Sequence, residues 1–177
     1  MSQINDKLVE LAREAVSFEI NSVHFYRHAG AMTEHPLGKV TFGKLAEQAT
    51  AHMAELGAIF AGIIGEHEWL RIQGEETAHT HPSGIVGQLE AAVAAHRHSE
   101  VADDAQALRL ALELARRVIH FLDELASHTA DTAVADVIRR LADEERFRYD
   151  FLQGQLDSVL NVGVWLDGPE FRVDGRF

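Results

Sequence analysis

Four long segments of this chain carry apolar residues at helical spacing, and they limit the fold more than any other feature. From 4 to 32 the stripe is Ile4, Leu8, Leu11, Ala15, Phe18, Ser22, Phe25 and Ala29. From 37 to 65 it is Phe42, Leu45, Ala49, His52, Leu56, Phe60 and Ile63. From 104 to 129 it is Leu108, Leu112, Ala115, Ile119, Leu122 and Ala126. From 132 to 162 it is Val134, Ile138, Leu141, Glu145, Tyr149, Leu152, Leu156 and Leu160. Recurrence at i, i+3, i+4 and i+7 gathers such residues on one face of an α-helix. The spacing therefore predicts an all-α chain of four long helices, with at most a short piece of strand in the tail.

The breaks fix the order. Gly30 and His35-Pro36 end the first helix, and a short break near Asp131 separates the last two. Residues 65–84, with Gly74, Pro82 and Gly84, read as a connector, and Ser83 can cap a short extra helix from Ile85 to about His98. Asp103 or Asp104 stands where an acidic residue favours a helix start. Two hairpins tied by a long connection are one way to make an antiparallel four-helix bundle of the ferritin-like kind, which is the expected fold. The bundle covers 1–163, and 164–177 is an aromatic tail, with Trp165 and Phe171, expected to lie on the bundle or on a partner subunit. An internal repeat supports the pairing. Val23-His24-Phe25 matches Ile119-His120-Phe121 (120 − 24 = 96), and Leu45-Ala46-Glu47 matches Leu141-Ala142-Asp143 at the same offset.

Composition removes several function classes. The formal charge of −12 sets most of the surface against a phosphate backbone, so no nucleic-acid partner is expected. Absence of cysteine excludes disulfides, thiol catalysis and cysteine-bound iron–sulfur clusters. No signal peptide and no run of about 20 apolar residues is read, so the expectation is a cytoplasmic protein without a membrane.

Charged residues on apolar stripes carry the chemistry, because unpaired burial of charge is costly. Glu19, His52 and Glu145 are such residues, each on a different helix, and Arg148 borders Glu145 one turn on. Carboxylate and imidazole suit iron, manganese or zinc. Tyr26 and Tyr149 sit one turn from the glutamates and are expected to pack there with a hydrogen bond to a carboxylate. His24 and His120 are read as surface residues rather than haem ligands, and His79-x-His81 and His96-x-His98 as solvated.

These residues resemble those of the rubrerythrin-like, ferritin-like proteins. Glu19 with Phe25-Tyr26 is similar to the family's first helix. Leu45-Ala46-Glu47 leading to His52, and Leu141-Ala142-Asp143-Glu144-Glu145, are similar to its second and fourth. Gly163-Val164-Trp165 with Pro169-Glu170-Phe171 resembles the closing segment of one related group. The resemblance implies a di-iron site with a Glu and a Glu-x-x-His from each half. Here Ala49 and Ala115 stand where it implies glutamates, and Arg148 where it implies a histidine. Three of the six implied ligands therefore remain. The expectation is iron or another divalent metal, at most one per bundle, with oxidoreductase-type activity in view and a complete peroxidase not. A metal-free structural or interaction bundle is the alternative, with Arg148 replacing metal charge and donating to both glutamates. The resemblance and the aromatic tail also imply a homodimer.

Overall fold

A computed structural model describes residues 2–79 and 100–166. Five helices occupy them, and no strand occurs among the described residues: α1 (Ser2–Met32), α2 (Pro36–Ile64), α3 (Glu66–His79), α4 (Glu100–His128) and α5 (Thr132–Val162). Local chemistry sets the boundaries. His35 caps α2 through Nδ1, which accepts from the Leu37 amide at 3.2 Å, and Pro36 follows where its missing N–H costs nothing. Asp131 caps α5 by accepting from the amides of Ala133 and Val134. Gly163 ends α5 at φ 74°, a left-handed conformation that glycine adopts freely.

The links between α1 and α2 and between α4 and α5 are so short that each pair folds back as a hairpin, and the helices of each pair lie against one another along their length. The hairpins meet in two apolar clusters. One is built around Phe25, Phe42, Leu45, Leu108 and Leu152. The other is built around Val16, Phe60, Leu122, Leu125 and Ile138. Along α1 the change from one cluster to the other falls at Glu19 and Ser22, along α2 at His52, and along α5 at Glu145 and Arg148. A thin polar layer thus divides the core.

Three expectations need correction. Much of the connector read over 65–84 is α3, and the short helix expected over 85–98 lies outside the described residues. Helix α3 holds because Trp69 and Ile72, one turn apart, bury themselves on the bundle. Trp69 stacks on Phe60 at 5.6 Å, and a Cβ at Gly57 would stand 3.0 Å from its indole nitrogen, so Gly57 makes the approach possible. Helix α4 starts at Glu100, a turn before the expected Asp103 or Asp104. Asp104 is not a cap but a buried acceptor, taking hydrogen bonds from Thr33 Oγ1 at 2.5 Å and Trp165 Nε1 at 2.7 Å. Leu160, read on the core stripe of α5, is exposed because the buried face turns to Gln155 and Val159.

Trp165 closes one end of the bundle. Its ring meets Phe42 edge-on at 5.6 Å and rests against Gly38, where a Cβ would stand 2.8 Å from it. Phe171 lies outside the described residues.

Candidate metal centre

The polar layer brings together the residues that the stripes single out. Glu19, His52, Glu145 and Arg148 are 2%, 5%, 1% and 4% exposed. His52 Nδ1 lies 3.0 Å from Glu145 Oε1 and 3.9 Å from Glu19 Oε1. One ligand atom from each of these three residues falls within 4.8 Å of the others. An ion bound at about 2.0–2.2 Å holds its ligands no more than about 4.4 Å apart, so a shift of a few tenths of an ångström closes the group around one.

The other face of the imidazole reaches the surface. His52 Nε2 is 3.3 Å from Glu144 Oε2, on a side chain that is 57% exposed. With carboxylates at both ring nitrogens the metal-free imidazole is favoured as a double donor. Burial and the Arg148 charge oppose that charge, but the hydrogen bond to Glu145 and the Glu145 charge raise the His52 pKa overall.

Arg148 supplies the fixed cation. Its Nη1 donates to Glu145 Oε1 at 2.5 Å, a bond within one turn of α5. The expected second bond, to Glu19, is not formed, and Glu19 feels the guanidinium only as a charge. The two carboxyls are driven apart as a result. Burial, and then the Glu145 charge, push Glu19 up to about 8. Burial also disfavours the Glu145 anion, yet Arg148 and His52 outweigh it and hold that carboxyl below its ordinary value. Without metal, the layer holds one ionised carboxylate, Glu145, and one protonated, Glu19. Glu145 Oε2 and Arg148 Nε are both buried and meet no partner among the described residues.

Tyr26 is fully enclosed beside the layer; the expected hydrogen bond to a carboxylate is not formed, and burial pushes its phenol up against the pull of Arg148, so it stays protonated. Tyr149 is not part of the centre. It is half-buried on another face of α5, where its hydroxyl accepts from Arg116 at 3.2 Å. Ala49 and Ala115 are buried and bring no ligand atom. His24 and His120 are exposed, whereas His81, His96 and His98 lie outside the described residues and nothing is described for the His79 side chain. Glu144 is the residue that stripe reasoning misses. Its one sequence signal is that it adjoins Glu145, and an exposed glutamate in a chain with 28 acidic residues does not stand out. The chain matches no family model, no curated protein and no solved structure.

Proposed function

We propose that this chain is a ferritin-like bundle related to the rubrerythrins, reduced to binding one divalent metal ion through Glu19, His52 and Glu145. The observation that carries the reading is the setting of His52. Nδ1 faces two buried carboxylates, and Nε2 faces a third at the surface. Metal-bound histidines characteristically donate their second ring N–H to a carboxylate in this way, which fixes the ring and raises its basicity.

The residues do not fit two irons. Ala49 and Ala115 give neither charge nor ligand, and Arg148 places a permanent cation in the layer. They fit one ion, whose charge the two buried carboxylates balance. Iron or manganese there would supply one-electron chemistry of the oxidoreductase type, and zinc would supply Lewis acidity without a change of oxidation state. Glu19 and Glu145 hold the ion from α1 and α5, His52 holds it from α2, and Arg148 keeps Glu145 ionised.

The test is metal content per chain after purification, and after loading with iron, manganese or zinc. One ion per chain is expected. Two ions, or no binding by the folded protein, would overturn the reading. Ala49→Glu with Ala115→Glu and Arg148→His is expected to raise the content to two.

A second reading has its own observation in favour. Glu145 already pairs with both His52 and Arg148, so the buried anion of the layer is met by cations without an ion. The chain is then a structural or interaction scaffold, and persistent absence of metal from folded protein would select it. A homodimer is proposed on either reading. Sedimentation at high concentration checks it, and a monomeric mass refutes it.

A further inference from the structure

The one-ion reading leaves two things unaccounted for, and both point the same way. Three protein ligands leave an ion with at least one position for an outside group. Arg148 Nε, which cannot give up its proton, is buried beside those ligands with no acceptor among the described residues. A bound ion accounts for the other partnerless atom, Glu145 Oε2, as a ligand or as its neighbour. It does not account for Nε–H, which a cation repels.

Charge agrees with geometry. The two buried carboxylates cancel a divalent ion, and Arg148 is left over as a single buried positive charge. Glu144 is more than half exposed, so water screens most of what it could contribute. A buried charge calls for a counter-charge.

Resting on the one-ion reading, we propose that the bound ion and Arg148 together form a subsite for a small monoanion, which binds the ion and accepts a hydrogen bond from Arg148 Nε. Azide and small carboxylates carry the single charge and the acceptor atom that this pairing requires.

The test uses the full chain loaded with cobalt(II), read by its visible absorption, with azide as probe. Cobalt at one per chain establishes the ion. Azide is then expected to change the spectrum saturably, and Arg148→Met, compared at cobalt concentrations that fill its site, to weaken azide by about tenfold or more, the usual worth of a hydrogen bond to a charged group. Arg148→Lys, which restores charge without Nε, is expected to recover only part. Cobalt bound with no azide response, or with equal azide affinity in wild type and Arg148→Met, overturns the proposal and leaves the one-ion reading standing. No cobalt bound removes both.

Should the variants fail to fold, the wild type decides. In zinc-loaded, nitrogen-15-labelled protein an arginine Nε–H resonance is expected to move as azide is added. If none moves, the subsite does not exist.

Discussion

Glu19 and Ala115 stand at corresponding places in the two hairpins, as do Ala49 and Glu145, His52 and Arg148, and Tyr26 and Leu122, every pair 96 residues apart. All eight residues are buried. The hairpins therefore agree in which positions they bury and disagree in the chemistry they put there. The second neutralises itself, because Glu145 and Arg148 are bonded within one helical turn. The first cannot. Glu19 is bonded to no arginine or lysine among the described residues, His52 Nδ1 of its own hairpin stands off at 3.9 Å, and its carboxyl is driven up to about 8. Burial follows from a residue's place on a helix, whereas the need for an external cation follows from whether its charge is met locally. In this bundle that need lies with the first hairpin.

Isosteric neutralisation breaks the comparison most strongly. Glu145→Gln leaves a buried guanidinium without its counter-charge, and a loss of about 3–5 kcal/mol is expected from urea unfolding of the metal-free protein. Glu19→Gln changes a group that already carries a proton and is expected to be nearly neutral under the same conditions at mildly acidic pH. Equal losses in the two variants would mean that the hairpins are not electrostatically different.

Dependence on pH reads the same difference in the wild type. The folded protein keeps a proton on Glu19 between about 4.5 and about 8, where the unfolded chain has lost it. The unfolded state then binds fewer protons, so stability falls as pH rises across that window. The raised His52 acts in the same sense, its contribution being full below its ordinary value of 6.5 and lost as pH rises through the folded one. The lowered Glu145 acts below 4.5, where its contribution is lost as pH falls. Metal-free protein is therefore expected to lose a few kcal/mol from pH 5 to 8, since each tenfold difference in proton affinity between the folded and unfolded chain is worth about 1.4 kcal/mol. Glu19→Gln should flatten most of that slope. Metal affinity should climb over the same range, since the ion needs the deprotonated carboxylate. A stability that rises toward pH 8 without metal contradicts the assignment.

The long helices are legible in the sequence because their periodicity runs through many turns and is punctuated by His35-Pro36, Asp131 and Gly163. Glu19, His52 and Glu145 are legible for a related reason: a charge on an apolar stripe must be buried and must be met. What fails is whatever depends on contacts between distant residues. Helix α3 contains Gly74 and resembles a connector until Trp69 is seen on Phe60. Asp104 resembles a cap until Thr33 and Trp165, 71 and 61 residues away, are seen on its oxygens. Tyr149 fails for a geometric reason. The buried face of α5 passes through Arg148 and Leu152, and the tyrosine, one position on from Arg148, slides to the rim.

Gly38 tests how the end of the second hairpin closes on the first. A methyl there would meet Trp165 at 2.8 Å and Thr33 Oγ1 at 2.8 Å, and both partners are tied to Asp104. Gly38→Ala is expected to cost about 1–3 kcal/mol by overpacking, visible in the melting temperature and as a change in tryptophan emission. Gly43→Ala, on the same helix, is the control, since a Cβ there meets nothing within 4 Å. Equal effects would mean that Trp165 does not hold the closure.

The smallest expected effect belongs to Glu144, where the two hairpins touch through one imidazole. Its carboxylate lies 3.3 Å from His52 Nε2 and holds the ring so that Nδ1 faces Glu19 and Glu145. Half-exposed, it adds little to stability, and Glu144→Gln is expected to leave the unfolding midpoint nearly unchanged. The amide keeps the shape and an acceptor oxygen but gives up the charge that makes the imidazole a better ligand. Metal affinity is therefore expected to fall by about tenfold, the low end of what such outer partners contribute. Glu144→Ala, which removes the acceptor as well, should fall further. Direct competition against a chelator of known affinity measures both. Unchanged affinity in Glu144→Ala would mean that His52 is oriented by its own hairpin alone, and that the second hairpin brings the ion nothing but Glu145.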